Sequence, residues 1–184
     1  MKKITGTFIL FILGWKTDFK KECKVKKSVM IAAPHTSNWD FIIAMAFYWK
    51  EGVKANFFIK DSWTKGLHGY FIKKMGGIGV ARGKKNNLVD FAVNKFNEQE
   101  EFVLLVPAEA TRKRVKKWKK GFYVIAKNAN VPVTLGSLDY KKKVARIGKV
   151  MNLTDDFEVD MTVIQDYYKN ISAKFPENYN QKIF

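Results

Sequence analysis

Short apolar runs alternate along this chain with stretches in which hydrophobic side chains recur every three to four positions, and the alternation predicts its elements. Residues 28–33 read as a buried strand ended by Pro34, and a helical pattern follows from about Asn38 to Trp49. Residues 56–60 read as the next strand, 62–74 as a helix, and 78–82 as a third strand closed by Gly83. Leu88, Phe91, Ala92 and Phe96 fall on one helical face, and 102–106 is continuously apolar, as a central parallel strand covered on both faces should be. Phe122, Ile125, Ala126 and Ala129 repeat the helical spacing, with a strand predicted over 131–135. Residues 140–153 flank Arg146-Ile147-Gly148-Lys149 without clear helical period, and Met161, Ile164, Tyr167, Tyr168 and Ile171 mark a last amphipathic helix. Strands alternating with helices predict a single α/β domain: a largely parallel central sheet flanked by helices, with reactive groups gathered at the carboxyl ends of the strands.

The N-terminus departs from this pattern. Residues 4–15 are apolar behind Lys2 and Lys3, too short to span a bilayer, which takes about 20 residues, and without the small-residue cleavage site of a signal peptide. A buried core helix and an interfacial segment both remain. The second is favoured, with Phe8 and Phe11 in the lipid, Trp15 at headgroup level and lysines at the phosphates, which divides the chain into an interfacial segment, 1–16, and a domain, 17–184.

Length and charge narrow the picture. The 184 residues suit one domain, and 47% hydrophobic residues exclude wholesale disorder. Lys and Arg number 34 against 17 Asp and Glu, a net charge of +17, so the surface suits anions: nucleic-acid phosphates, anionic lipid or an acidic protein. One cysteine and two histidines leave no zinc framework, and no metal or cofactor is expected. Cys23, among lysines with no base nearby, reads as an inert thiol. Residues 112–120 hold seven cations in nine positions around Trp118; with Lys113, Arg114, Lys116, Lys117 and Trp118 this run is expected to dock on an anionic membrane. An acidic carrier protein could use the same face, while no recognised nucleic-acid motif accompanies the charge.

Chemistry concentrates at the strand ends. After the first predicted strand comes Pro34-His35-Thr36-Ser37-Asn38-Trp39-Asp40. If Thr36 or Ser37 caps the following helix, His35 lies ahead of its N-terminus and Asp40 in its first turn, so the carboxylate can reach back to the imidazole. Asp40 would then fix the tautomer while the helix dipole keeps the base neutral. The plainer alternative is a turn histidine and a solvated carboxylate. Ser37 could be a nucleophile, but a cap role would occupy its oxygen, and His68 has no acid near it in sequence. Further on, Val106-Pro107-Ala108-Glu109-Ala110-Thr111-Arg112 leaves a buried strand, and Arg82 follows Gly76-Gly77-Ile78-Gly79; a guanidinium fixed at a strand end suits a phosphate.

Taken in order, these blocks resemble those of the glycerolipid acyltransferases typified by bacterial 1-acylglycerol-3-phosphate acyltransferases. The family's His-x4-Asp, glycine-to-Arg, Glu-Gly-Thr-Arg and Val/Ile-Pro blocks correspond to His35–Asp40, Gly76–Arg82, Glu109–Arg112 and Val131-Pro132-Val133, over residues 14–138. Pro34, Ala81 and Ala110 replace the family's Asn, Asp and Gly, the last where a Cβ can obstruct the backbone or a ligand. The resemblance implies that His35 is the general base oriented by Asp40, and that Arg82, Glu109, Thr111, Arg112 and Lys60 shape the acceptor site. It implies transfer of an acyl group from acyl-CoA or acyl carrier protein to a lysophospholipid such as 1-acylglycerol-3-phosphate, with no nucleic-acid partner. It also implies a peripheral or monotopic place on the cytoplasmic face of the cell membrane.

Overall fold

The computed structural model describes residues 1–81, 88–154 and 156–184. In chain order the elements are α1 (Lys2–Ile12), β1 (Lys16–Phe19), β2 (Lys27–Ala32), α2 (Trp39–Glu51), β3 (Ala55–Lys60), α3 (Gly66–Lys74), β4 (Gly77–Val80), α4 (Leu88–Glu98), β5 (Phe102–Val106), α5 (Gly121–Ala129), β6 (Val133–Asp139), β7 (Val144–Met151) and α6 (Phe157–Tyr168). The strands form one sheet in the order β1-β7-β6-β2-β5-β3-β4, parallel at every pairing except β6 with β7. The α/β expectation of a largely parallel sheet between helices therefore holds.

The sheet's centre explains the continuous apolar runs. Along β2, Val29 and Ile31 face a core built with Phe96 of α4, Phe122 of α5 and Ile164 and Tyr168 of α6, while Met30 between them faces Leu10 of α1 and Ile43 and Phe47 of α2. Successive side chains point to opposite faces, so a strand covered on both sides reads as a nearly continuous apolar run, and the buried hydroxyls of Ser28 and Thr134 satisfy each other at 3.2 Å.

Several boundaries differ from the sequence reading for local reasons. The helix predicted over 62–74 is a 3-10 turn, Asp61–Thr64, and then α3, because Gly66 adopts φ +66° and breaks the run. β1 was not anticipated. Its Lys-Thr-Asp-Phe sequence is polar, and it pairs at the sheet's margin with β7, whose eight residues occupy the unperiodic stretch after Tyr140.

The N-terminal segment is docked rather than free. Gly6 and Leu10 of α1 are buried against α2, and a Cβ on Gly6 would come within 2.3 Å of the Ala46 carbonyl oxygen, so only glycine permits this approach. The opposite face stays open: Ile4 and Phe11 are 76% and 80% exposed, and Phe8 and Ile12 are exposed beside them. Trp15 does not project toward a headgroup layer. Gly14, at φ +70°, turns the chain into β1 and sends the indole inward, 8% exposed and edge-on to Tyr140 at 4.9 Å. Among the described residues no helix is long and apolar enough to cross a membrane.

Candidate active site

β2 ends at Ala32, and after the cis Ala33–Pro34 peptide bond comes the loop carrying His35. Asp40 sits in the first turn of α2, 5% exposed, and reaches back as the spacing predicts. Its Oδ2 lies 3.1 Å from His35 Nδ1 and accepts the Thr36 and Ser37 backbone N–H groups, each at 2.8 Å. Its Oδ1 accepts the hydroxyl of Tyr140 at 2.6 Å. Burial pushes this carboxyl upward, but the hydrogen bonds from His35, Tyr140 and Ser37 prevail and hold it below the ordinary carboxylate range. An ionised Asp40 can only accept, so Nδ1 donates and Nε2 keeps its lone pair for an incoming proton.

Neither Thr36 nor Ser37 is the cap the sequence predicts: Asn38 occupies the N-cap of α2, with no side-chain cap bond. Ser37 Oγ accepts the Trp39 N–H at 3.2 Å, which engages it at the helix start and argues against a nucleophilic role. Thr36 Oγ1 instead accepts the Phe175 N–H at 3.2 Å and ties down the C-terminal segment.

Glu109 packs behind the histidine, 4% exposed. Its Oε1 accepts the His35 backbone N–H at 2.9 Å, and its Oε2 is buried with no hydrogen-bond partner among the described residues. Burial pushes this carboxyl up to about 7, against the pull of the backbone hydrogen bonds. Next to it, Ala110 holds φ +58°, a left-handed conformation, at the position where the resembled block has glycine.

A cavity of about 270 Å³ opens beside His35 and Asp40. Arg112 and Asn38 line it on the polar side, the guanidinium donating from Nη1 to Asn38 Oδ1. Its walls are apolar, formed by Phe41, Ala44 and Phe47 of α2, Phe57 and Phe58 of β3, and Leu105 of β5.

The predicted residues thus fall into groups. His35, Asp40, Glu109 and Arg112 come together where β2 and β5 end. Thr111 is exposed on the same loop, its Oγ1 accepting the Lys113 N–H at 3.3 Å, and Lys60 is exposed at the end of β3; neither lines the cavity. Arg82 lies outside the described residues. Of the proposed lipid contacts, Phe8 and Phe11 are exposed, as are Lys113, Arg114, Lys116 and Lys117. Trp118 is not: it is 6% exposed, with its ring 5.4 Å from that of Tyr168 and 6.5 Å from that of Phe122. A loop has no period to show which way one aromatic among cations points, and the core claims it. His68 is exposed on α3, and Cys23 is buried, its thiol pushed up chiefly by burial. Among the described residues no group of His, Cys, Asp and Glu side chains could hold a metal ion.

Sequence reasoning missed Tyr140 and the cavity walls. The walls had a signal, since the run 39–49 is apolar nearly all round and such a helix is buried on more than one side. Tyr140 had none.

Comparison with known proteins adds three findings. A family model described as Acyltransferase matches residues 16–134. No curated protein matches the sequence. A crystal structure described as the 1-acyl-sn-glycerophosphate (LPA) acyltransferase PlsC from Thermotoga maritima is similar with a TM-score of 0.64 at 15% identity, covering 94% of this chain and 80% of that one. At that identity the likeness concerns the fold.

Proposed function

The chain belongs to the acyltransferase family, and from that premise we propose that it moves a fatty acyl group from an acyl thioester to the free hydroxyl of a lysophospholipid. The acceptor that fits best is 1-acylglycerol-3-phosphate, which would give phosphatidic acid in phospholipid biosynthesis. The observation that carries the reading is the His35–Asp40 pair at the mouth of an apolar cavity, with the Arg112 guanidinium lining its polar side.

In this scheme His35 Nε2 takes the proton of the acceptor hydroxyl as its oxygen attacks the thioester carbonyl carbon. Asp40 stabilises the imidazolium that forms. The tetrahedral intermediate collapses, the carbon–sulfur bond breaks, and the leaving thiolate recovers the proton from His35. The acyl chain lies along Phe41, Phe47 and Phe57, where each buried methylene contributes about 0.8 kcal/mol of binding. Arg112 pairs with the acceptor phosphate, for which a planar guanidinium is suited. By family resemblance Arg82 also serves the acceptor, while Thr111 and Lys60, exposed outside the cavity, can meet only the part of the acceptor that projects from it. The donor is acyl-CoA or acyl carrier protein. The reading puts the protein on the cytoplasmic face of the membrane, and the exposed apolar side of α1 and the exposed cations of 113–117 support it.

The test is mass spectrometry of the lipids formed when purified protein meets a panel of lysolipids with both donor types. Expected is a product one acyl group heavier than the phosphate-bearing acceptor, with the rate lowered about 10²- to 10⁴-fold in His35→Ala. Absence of transfer from either donor, or a His35→Ala variant as active as the parent, refutes the proposal.

A further inference from the structure

We propose that Tyr140 is a positioning residue for the reactive pair, its phenol fixing the rotation of the Asp40 carboxylate so that His35 presents Nε2 to the acceptor. The inference rests on the acyl-transfer reading and extends it to a residue beyond the segment, 16–134, that the family model matches.

The geometry is specific. Asp40 Oδ2 already has three partners in His35 Nδ1 and the Thr36 and Ser37 amides. Among the described residues the one hydrogen bond to Oδ1 comes from Tyr140, 100 residues away in sequence, at 2.6 Å. A carboxylate anchored through one oxygen can still pivot about its bond to Cβ; a donor on the second oxygen removes that freedom. The phenol is itself held. Tyr140 follows directly on β6, its N–H donates to the Ser172 carbonyl at 2.9 Å, and the Trp15 indole meets its ring edge-on at 4.9 Å. Its hydroxyl stays protonated far into the alkaline range, because burial and the adjacent carboxylate both oppose phenolate formation. It is therefore a fixed donor at any working pH. Among the described residues the charged and titratable groups around the pair are Glu109 behind His35, Arg112, Arg146 and Tyr48 on the cavity wall, and Lys174, whose ammonium lies 6.0 Å from the Tyr140 ring centroid.

Tyr140→Phe deletes the hydroxyl and keeps the ring against Trp15, so the fold should survive. Loss of the bond lets the Asp40 carboxyl rise toward its ordinary range, since Tyr140 is one of the donors that lower it. We expect kcat to fall about tenfold with KM for donor and acceptor little changed, and the acid limb of the pH–rate profile to move upward. A second readout does not depend on activity. The chain has two histidines, so the His35 Nδ1 proton can be assigned by NMR against a His68→Gln control. In the parent it should be a low-field signal protected by Asp40, and in Tyr140→Phe it should broaden or shift. Unaltered kcat and an unaltered Nδ1 signal overturn the proposal, as does a loss equal at all pH values with the signal unmoved, which marks a merely structural tyrosine. A signal that shifts in Tyr140→Phe when the parent protein is inactive on every acceptor upholds the positioning role while refuting the acyl-transfer reading.

Discussion

Glu109 is the buried group whose ionisation should be felt most by the fold. Its carboxyl titrates at about 7 where the ordinary value is 4.5, so the folded chain binds this proton more tightly than the unfolded chain does. The stability associated with the protonated form is fully present below pH 4.5 and is lost as pH rises through 7, a decline of about 3 kcal/mol. Glu109→Gln keeps an oxygen to accept the His35 N–H and has no charge to bury. Denaturant midpoints of parent and variant should therefore coincide near pH 4.5 and diverge by pH 8, with the variant more stable; curves that stay together across that window would exclude a proton on Glu109. Asp40 acts in the opposite sense: its contribution is fully present above the ordinary carboxylate value and is lost as pH falls from there through the lower folded value. At this scale the placing of His35, Asp40, Glu109 and Arg112 side by side is legible in the sequence, since each lies within a few residues of a strand whose apolar run can be read. The sequence also marked Ala110 as unusual, and φ +58° gives that oddity its physical content: a Cβ where glycine would be free of strain. Tyr140 escaped because nothing in Asp139-Tyr140-Lys141 announces a partner 100 residues upstream.

Between elements, α1 packs closely on α2. A side chain at Gly6 would meet the Ala46 carbonyl oxygen at 2.3 Å and the Lys50 nitrogen at 2.9 Å, both backbone atoms of a packed helix that cannot step aside. Gly6→Val should cost about 1–3 kcal/mol, in the range of overpacked cores, and expose Leu10; a thermal midpoint equal to the parent's would mean that α1 does not dock on α2 in solution. This contact also shows why the N-terminal run was ambiguous as sequence. Glycine and leucine on one side and phenylalanine and isoleucine on the other are all apolar, so composition alone cannot assign the buried face. Trp15 and Trp118 were misplaced for a related reason. Each neighbours lysines, which suggested a water or lipid boundary, yet lysine stems can flank a buried ring while their ammonium groups stay in solvent. The central strands were easier to read, because burial on both faces leaves an uninterrupted apolar signature that the four polar-leaning residues of β1 do not have.

For the whole molecule, a charge of +17 and an exposed apolar helix face are attractions of different physical kinds, and salt separates them. Exposed cations such as Lys113, Arg114, Lys116 and Lys117 act on anionic surfaces over about 8–10 Å at ordinary ionic strength, and the attraction fades as salt is added. Burial of Ile4, Phe8, Phe11 and Ile12 in a lipid layer is worth roughly 25 cal/mol per Å² and persists in high salt. Deleting the segment is the wrong experiment, because it would also strip Gly6 and Leu10 from their packing on α2. Replacing Phe8 and Phe11 by serine alters only the open face. Co-sedimentation with anionic vesicles should then show parent binding that weakens but survives at high salt, while the double variant binds at low salt and is released at high salt. Replacing the four cations of the loop by glutamine should leave the complementary remainder, weaker at low salt and little changed at high salt. Duplex DNA has no apolar interior to receive the helix, so any binding to it should disappear at high salt for the parent and both variants alike. Tight DNA binding with no recovery on vesicles would mean that the basic surface serves a nucleic-acid partner instead.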